Sequence, residues 1–336
     1  MEKIDAAYHW LCNQRRHYPP DSDIWHLRFH WPRYRTDVFQ ALSADSFALS
    51  PQLHLVKMDG SHLHCWSSID ALVLKLLAWH LGALLPTSKR CTHLKGHGGL
   101  KQTVRQVYDA LGQYAFVCKT DVKGYYESID QALLLQQLSP WLPDKQVWRL
   151  IYNYVHRVME RGGNFSDINR GICRGCPLSP VMAALYLLPL DKLMTQKGMF
   201  YRRYMDDIII FCKTRWQLRK TVALLNQQLS LLKLTKARDK TFIGSIERGF
   251  SFLGYLFSGG LLQPAEKTIQ KYRCRLAQLY EQKKGQSNQP ALLASYQHRW
   301  LQWVYAGLEP SMLCHAFMQQ FYDDATANRI NLKRIS

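Results

Sequence analysis

The chain has 336 residues, of which 47% are hydrophobic, so it is long enough for two or three subdomains with their own cores and is not generally disordered. Its net charge of +19 comes from Lys and Arg spread from Arg15-Arg16 to Lys333-Arg334, which favours a polyanion held along a cleft over a single basic tail. The nine cysteines, the N-terminus without a basic and apolar leader, and the absence of any run of about 20 apolar residues predict a reduced, cytoplasmic protein with no contact to membranes.

The first hundred residues read mainly as helix. Residues 1–50 form a basic, tryptophan-containing region that predicts helices broken by prolines. The apolar run at 70–81 predicts a helix that ends near Gly82. The glycine-rich, basic stretch 93–99 indicates contact with a phosphate backbone; it lacks the Lys-Ser/Thr pair that would indicate an ATP-binding loop.

Acidic residues lie beside two predicted strands that are far apart in the chain. Residues 116–122 read as a buried strand that ends in Asp121, and Asp206 and Asp207 occupy a predicted tight turn within the hairpin 201–211. Carboxylates beside a buried strand are costly unless they meet cations, and we expect divalent metals with a polyphosphate. Two strands that bring Asp to one end of a sheet could bind a metal pair, whose ions lie roughly 3.5–4 Å apart in two-metal catalysis. The alternative for an isolated Asp-Asp is a solvated hairpin turn.

One cysteine pair needs a separate interpretation. Cys173 and Cys176 form a CxxC within the segment 171–180, a spacing that could indicate zinc or redox chemistry. No second CxxC or HxxxH follows it. We therefore interpret both cysteines as loop and packing residues.

The order of these segments resembles that of the reverse transcriptases, and within them the bacterial group II intron-like branch, over residues 70–255. Five motifs carry the resemblance: Thr120-Asp121-Val122-Lys123-Gly124-Tyr125-Tyr126, the segment 171–180, Tyr204-Met205-Asp206-Asp207, Asp239-Lys240-Thr241 and Phe252-Leu253-Gly254-Tyr255. The resemblance implies an α+β fold, that of a right-hand polymerase with fingers, a palm whose antiparallel sheet is backed by helices, and a helical thumb.

The resemblance also implies a two-metal site. Asp121 and Asp206 would ligate both magnesium ions, with the main-chain carbonyl of Val122 as a further oxygen ligand. Asp207 would be a nearby, less direct carboxylate. Oxygen-only ligation suits Mg²⁺, which keeps waters and takes substrate phosphates as ligands. Lys240 would approach the leaving pyrophosphate as an electrostatic or proton-donating partner; the alternative is a solvated loop lysine.

Further residues are implied to hold the nucleotide and template. Tyr126 would lie beneath the sugar, where its ring would clash with a 2′-hydroxyl and favour deoxynucleotides; a core tyrosine is the alternative. We expect Tyr125 to be a core residue, because alternate strand residues face opposite sides. The loop residues implied to contact substrate are Arg174, Gly175, Ser179 and Pro180. Arg174 replaces a glutamine that many members carry, and an arginine there could meet phosphate or stack on a base.

The fingers depart further from the family pattern. Lys57 fits loosely the lysine that members place over the triphosphate, but His62 and His64 stand where an arginine is expected. Neutral histidine is a poor clamp for a triphosphate at pH 7. Either the alignment shifts here, or another basic residue such as Lys75 or Arg90 takes over.

The resemblance and the positions of helix-breaking residues together predict that the chain has three structural parts. They are an N-terminal basic helical extension at 1–50, fingers and palm at 51–260, and a helical thumb at 261–336. Within them the pattern predicts helices at 216–234, 265–282 and 291–306, and another after Pro310.

The implied function is RNA-directed DNA synthesis, with an RNA template, a DNA primer and deoxynucleotides as partners and a dedicated non-coding RNA as a candidate partner. The chain stops at Ser336 with no endonuclease motif in view, so we expect a stand-alone bacterial retroelement or phage-defence enzyme. Two alternatives stay open: a template-independent or protein-primed nucleotidyltransferase, and a non-catalytic RNA-binding subunit of a ribonucleoprotein. The four charged residues of the predicted site argue against the second, because RNA binding alone favours fewer acids in a cleft.

Overall fold

The computed structural model describes residues 1–56, 60 and 62–314. The chain divides into two compact units, each built from three separate stretches of sequence. Unit 1 comprises Met1–Ser88, Val122–Lys192 and Asn226–Thr235, and unit 2 comprises Lys89–Asp121, Leu193–Leu225 and the chain from Lys236 onward.

Helices and antiparallel strand pairs alternate along the described residues. The helices are α1 (Glu2–Gln14), α2 (Asp23–Phe29), α3 (Trp31–Ser43), α4 (Ser68–Leu84), α5 (Gly99–Ala110), α6 (Tyr125–Ser128), α7 (Gln131–Leu138), α8 (Lys145–Val155), α9 (Ser179–Tyr186), α10 (Leu188–Gln196), α11 (Arg215–Leu231), α12 (Glu266–Gln282) and α13 (Gln289–Tyr305). The strands are β1 (Gln52–Val56), β2 (His62–Cys65), β3 (Phe116–Thr120), β4 (Val158–Arg161), β5 (Asn164–Asp167), β6 (Phe200–Tyr204), β7 (Asp207–Cys212), β8 (Phe242–Ser245), β9 (Phe250–Phe252), β10 (Tyr255–Ser258) and β11 (Leu261–Pro264). This mixed content agrees with the predicted α+β class.

The helices α1 to α3 confirm the helical prediction for the N-terminal region of unit 1. Pro32 lies in the first turn of α3, where its missing N–H breaks no bond because the first N–H groups of a helix have no partner within it. Arg35 of α3 donates to both carboxylate oxygens of Asp5 in α1, at 2.6 and 2.7 Å. Arg15, just after α1, donates to the carbonyl of Trp66 at 2.8 Å. These contacts hold the N-terminal helices together and tie them to the start of α4.

Helix α4 is longer than predicted. The Ser67 side chain caps its N-terminus by accepting the N–H of Asp70 at 3.0 Å. The helix continues through Gly82 to Leu84, although the sequence predicted an end near Gly82. A glycine inside a helix costs only about 1 kcal/mol, and the neighbouring Leu81 is completely buried, so packing outweighs this cost.

The sheet of unit 1 has the strand order β2-β1-β4-β5 and is mixed, because β1 pairs antiparallel with β2 and parallel with β4. The two histidines that occupy the expected place of a fingers arginine, His62 and His64, lie on β2. His54 of β1 lies opposite His64, and its Nε2 is 2.9 Å from Nδ1 of His62. Burial lowers the pKa of His64, which favours the neutral ring.

The prediction for Tyr125 was right in outcome but wrong in its reason. Tyr125 is buried and its hydroxyl donates to the carbonyl of Ala183 at 2.5 Å, whereas Tyr126 is only half-buried. Both residues lie on the short helix α6 and not on a strand. Gly124, at a φ of 52°, turns the chain out of its extended course, so the difference in burial follows from helical geometry.

Unit 2 is built on a fully antiparallel sheet with the order β6-β7-β3-β8. All residues of β7 after Asp207 are buried, which explains the continuous apolar run of this central strand. One face packs into a core that includes Val117, Ile209 and Phe211 together with residues of α5 and of the smaller sheet β11-β10-β9. The predicted helix at 216–234 is α11, which ends three residues earlier, at Leu231.

The two helices predicted near the C-terminus are confirmed as α12 and α13. Pro290 lies in the first turn of α13, where proline is favoured, so this helix begins two residues earlier than predicted. The two helices pack through aromatic rings: Tyr272 of α12 is stacked on Tyr296 of α13, with centroids 5.7 Å apart.

Two expectations fall outside the described residues: the fingers role of Lys57, and any helix in the chain beyond residue 314. Immediately after Pro310 the described chain forms a single 3-10 turn, Pro310–Met312. No helix in the described part of the chain has the length and apolar character needed to cross a bilayer.

Candidate active site

In unit 2, Asp206 lies in the tight turn between β6 and β7, and Asp207 is the first residue of β7. Met205 at the corner of this turn has a φ of 57°, which is unusual for a non-glycine residue, so other groups must hold it there. The completely buried Arg203 donates from Nη1 to the carbonyl of Met205 at 2.9 Å. The N–H of Met205 donates to Nδ1 of His93 at 3.2 Å. Both main-chain polar groups of the strained residue are therefore bonded.

Strand pairing brings Asp121 to the same end of the sheet as the acidic turn. Thr120, the last residue of β3, pairs with Ile208, the second residue of β7. Because the two strands are antiparallel, the residue after β3 and the residues before Ile208 meet at one edge. Asp121 is 5% exposed, and its main-chain carbonyl accepts the N–H of Ala237 at 2.7 Å. The three carboxylates thus lie together at one end of the sheet.

Lys240 joins the same cluster from the 3-10 turn Arg238–Lys240, which precedes β8. Its Nζ donates to Oδ2 of Asp121, and its carbonyl accepts a hydrogen bond from Nζ of Lys119 at 3.0 Å. The side chain of Lys240 is 53% exposed, against 7% for Asp121. The ammonium group therefore neutralises part of the acidic cluster while staying open to solvent on one side.

The pKa values of the Asp206 and Asp207 carboxyls are both raised. Burial, followed by the carboxyl of Asp121 beside it, raises the pKa of Asp206 to about 7. Burial and the charge of Asp121 raise the pKa of Asp207 to about 6, against the opposing effect of Lys119 and Lys240. Carboxyls that resist ionisation in this way lie where positive charge is in short supply.

One atom of the cluster is left without a hydrogen-bond partner. Oδ1 of Asp121 is buried, and no donor among the described residues reaches it. A buried carboxylate oxygen without a partner is costly, and a cation would remove that cost. Among the described residues, no group of three or more His, Cys, Asp or Glu side chains is placed to hold a metal ion. Mg²⁺ commonly takes only one or two carboxylates and completes its shell with water and substrate phosphates, so the oxygen-only cluster fits this ion.

The loop at 171–180, which carries several of the predicted substrate residues, belongs to unit 1. Buried polar side chains form hydrogen bonds to its main chain. The carbonyl of Gly171 accepts Nη1 of Arg157 at 2.9 Å and Nε2 of Gln131 at 3.1 Å. The buried hydroxyl of Ser179 lies 2.7 Å from that of Tyr154 and also donates to the carbonyl of Cys173. Ser179 therefore fixes the end of the loop against α9 through its side chain.

The other predicted substrate residues of unit 1 differ in exposure. Arg174 and Gly175 are exposed at the tip of the loop, and Pro180 is half-buried in the first turn of α9. Tyr126 is half-buried, with its ring centroid 5.7 Å from that of Tyr125. The side chain of Val122 is buried directly after Asp121 in the chain. Cys173 and Cys176 are buried, reduced packing residues, in line with the sequence interpretation.

A cation holds the turn of the last motif, 252–255, in unit 2. Leu253 and Gly254 both have positive φ angles, and the ring of Trp303 lies 3.2 Å from where a Cβ of Gly254 would be. Nζ of Lys101 lies 4.7 Å from the ring centroid of Tyr255 and 4.2 Å from that of Trp303, and it donates to the Tyr255 hydroxyl. Lys101 thus ties α5, the turn and α13 together.

Sequence reasoning missed the groups that support the motifs. In the sequence Arg203 is only a charged residue two positions after Tyr201, and the alternation of a strand places both on the buried face of β6. His93 was assigned to a phosphate-contacting loop and not to the acidic turn. Nothing in the local pattern marks Gln131 or Arg157 as supports of the loop at 171–180.

Comparison with known proteins adds three findings. The family model described as "Reverse transcriptase (RNA-dependent DNA polymerase)" matches residues 69–257, which is more than half of the chain. The chain is also similar to "Group II intron-encoded protein LtrA" of Lactococcus lactis subsp. cremoris and to the protein of the same name from strain MG1363, each 27% identical over 107 residues. These matches cover 32% of this chain and 17% of each relative, so the chain spans less than a fifth of the curated proteins it matches.

Proposed function

Because the chain belongs to the reverse transcriptase (RNA-dependent DNA polymerase) family, we propose that it copies RNA into DNA by adding deoxynucleotides to a primer 3′-hydroxyl. The observation that carries this proposal is the convergence of Asp121, Asp206 and Asp207 at one end of the unit 2 sheet. A cluster of buried carboxyls with raised pKa values and an unpaired oxygen suits the binding of a cation that accompanies a polyphosphate.

The proposed cofactor is a pair of magnesium ions, which when bound would activate the primer 3′-oxygen and stabilise the departing pyrophosphate. Asp121 and Asp206 would hold them, with the main-chain carbonyl of Val122 as a further ligand and Asp207 alongside. The unpaired Oδ1 of Asp121 supports its role as a ligand, since its other oxygen is already bonded to Lys240.

The protein groups have separate proposed tasks in the transfer. Arg203 and His93 keep the acidic turn in its strained shape, so the carboxylates need no reorganisation when substrate arrives. Lys240 is half-exposed and could turn from Asp121 towards a departing pyrophosphate, where its charge or a proton would stabilise the leaving group.

In the nucleotide subsite, we propose that Tyr126 lies beneath the sugar and favours deoxynucleotides. Arg174 and Gly175 would contact nucleotide or template from the exposed tip of their loop. Ser179 would act by holding that loop, together with Pro180. The lysine expected over the triphosphate would be Lys57.

The three-part organisation is also a proposal. The unit 2 sheet supports a palm, the sheet β2-β1-β4-β5 supports fingers, and the paired helices α12 and α13 support a thumb. The proposed parts are a helical extension at 1–50, fingers and palm at 51–260 and a thumb at 261–336. From the family resemblance we further propose a bacterial retroelement or phage-defence enzyme, acting in the cytoplasm with a dedicated non-coding RNA.

The test is extension of a labelled DNA primer on matched RNA and DNA templates, with magnesium and each single deoxynucleotide. We expect incorporation that follows the RNA sequence, and a fall of at least about 10³-fold for Asp206→Ala, because loss of a metal ligand removes several kcal/mol of transition-state stabilisation. The control is Asp109→Ala, at an exposed carboxylate on α5. Both variants should melt at or above the wild-type temperature.

The other outcomes separate the alternatives. Full-rate synthesis by Asp206→Ala would refute the site assignment. Incorporation that ignores the template would favour a template-independent nucleotidyltransferase. Tight RNA binding with no incorporation under any condition would favour a non-catalytic RNA-binding subunit.

A further inference from the structure

A basic groove of about 510 Å³ lies in unit 2 beside the edge strand β8. Arg215 and Arg219 line it from the first two turns of α11, and Arg248 lines it from the turn after β8. Its apolar lining is formed by Phe116, Leu218, Val222 and Ile243. The groove therefore combines three guanidinium groups with a surface on which a flat ring or a sugar can rest.

The groove is separate from the acidic turn. Phe116, at the start of β3, pairs with Ser245 at the end of β8, whereas Asp121 follows the other end of β3. Five residues of extended strand span about 16 Å. No residue that lines the groove belongs to the proposed catalytic cluster.

No carboxylate among the described residues compensates the charge of the groove. Arg215, Arg219 and Arg248 are all exposed residues, and within the described residues no carboxylate forms an ion pair with any of them. Arg215 and Arg219 are four residues apart on one helix, where like charges repel. A bound anion would offset this repulsion, because both guanidinium groups would be attracted to it.

The surface next to the groove also carries positive charge and an exposed aromatic ring. Trp216, beside Arg215 on α11, is 71% exposed, and Nζ of Lys220 lies 5.0 Å from the centroid of its ring. Lys213, just before the helix, is also exposed. Positive charge spread along an open groove, with exposed rings beside it, is typical of proteins that bind single-stranded nucleic acid through phosphates and stacked bases. A single nucleotide would use only part of this surface.

We propose that this groove binds a single-stranded segment of RNA outside the region that is copied. The guanidinium groups bind successive phosphates, and the apolar lining with Trp216 receives a base or sugar. The contact holds an RNA on the protein while its copied part lies at the carboxylates. The proposal rests on the proposed function for the copied part of the RNA, but binding of RNA by the groove needs no catalysis, so the binding test can fail or succeed independently of the polymerase activity.

The test compares wild-type protein with the triple variant Arg215→Gln, Arg219→Gln and Arg248→Gln in binding of a fluorescent, unstructured RNA of about 30 nucleotides over a range of salt concentrations. Each phosphate contact in single-stranded nucleic acid contributes about 0.7 to the slope of log affinity against log salt, so we expect the slope to fall by about 2. Affinity should fall about tenfold or more, while extension of a short annealed primer and template stays within about twofold of wild type.

Two controls isolate the groove. The variant Arg16→Gln, Arg28→Gln and Arg33→Gln removes the same charge from exposed positions of unit 1 and should leave the slope within about 0.5 of wild type. Asp206→Ala should bind the RNA with wild-type affinity although it cannot extend a primer, which separates failure of RNA binding from failure of catalysis.

Wild-type crosslinking provides a second measurement that does not depend on how the variants fold. RNA containing 4-thiouridine should crosslink to Trp216 or Phe116, as read by mass spectrometry. Crosslinks confined to other parts of unit 2, an unchanged salt slope in the groove variant, or an equal loss in the unit 1 control would each overturn the proposal. Competition by free adenosine monophosphate at micromolar concentration, or by polyglutamate as strongly as by RNA, would do the same.

Discussion

Replacing Gly171 with alanine should destabilise unit 1 far more than the same change at an exposed glycine. Gly171 has a φ of 75°, and a Cβ there would lie 2.7 Å from the carbonyl oxygen of Tyr126 and 2.8 Å from Cα of Glu127. Both neighbours are main-chain atoms, so they cannot move away by a side-chain rotation. Relief requires that the loop and the start of α6 separate.

The cost has two parts. A left-handed backbone costs a non-glycine residue about 1–2 kcal/mol. Separation also strains two hydrogen bonds of 2.8 Å, from the N–H of Gly171 to the carbonyl of Ile129 and from the N–H of Ile172 to the carbonyl of Tyr126, each worth about 1 kcal/mol net. We therefore expect Gly171→Ala to lower the free energy of unfolding by about 3–4 kcal/mol.

The assay is urea denaturation followed by tryptophan fluorescence. The matched control is Gly163→Ala, because Gly163 also has a positive φ, 84°, but is exposed and has no atom within 4 Å of the added Cβ. Only the backbone term applies there, so the control should lose about 1–2 kcal/mol. If Gly171→Ala lost no more than Gly163→Ala, the argument from the close main-chain contact would be refuted.

Three further predictions use other parts of the molecule. Tyr126→Ala should reduce discrimination against ribonucleotides about tenfold or more, measured as the ratio of kcat/KM for the two sugars; an unchanged ratio would remove its proposed role. A hydrogen bond from Lys233 lowers the pKa of Asp130, so its stabilisation is present above the unfolded pKa of about 4 and is lost as pH falls through the lower folded value. Asp130→Asn should thus cost about 0.5–1 kcal/mol at pH 7 and progressively less as the pH falls below about 4, and a cost that does not decrease in acid would contradict this. Burial lowers the pKa of Lys101 to about 8, so between about pH 8 and 9.5 the unfolded chain binds the extra proton, and wild-type stability should rise with pH relative to Lys101→Met; a flat difference in urea titrations would disprove it.

The local predictions that succeeded depend on patterns within a few residues. The helical pattern and the prolines near the C-terminus predicted α12 and α13 to within two residues. The apolar run after Asp207 predicted the buried strand β7. Carboxylates at predicted strand ends indicated the acidic cluster before any pairing was known. Tyr125 shows the limit of this reasoning, because the sequence predicts strand alternation where Gly124 begins a helix.

Sequence alone therefore determined the family, the main helices and strands, and which carboxylates lie beside the predicted strands, because these features are encoded by residue types at short and regular spacing. The tertiary structure decided which residues far apart in the sequence contact and support these features. Lys240 bonds to Asp121 across 119 positions of the chain, Arg203 and His93 support one turn, and three arginines from two elements meet in one groove. Such contacts arise from strand pairing and core packing, which bring together residues whose local sequences do not indicate that they will be in contact.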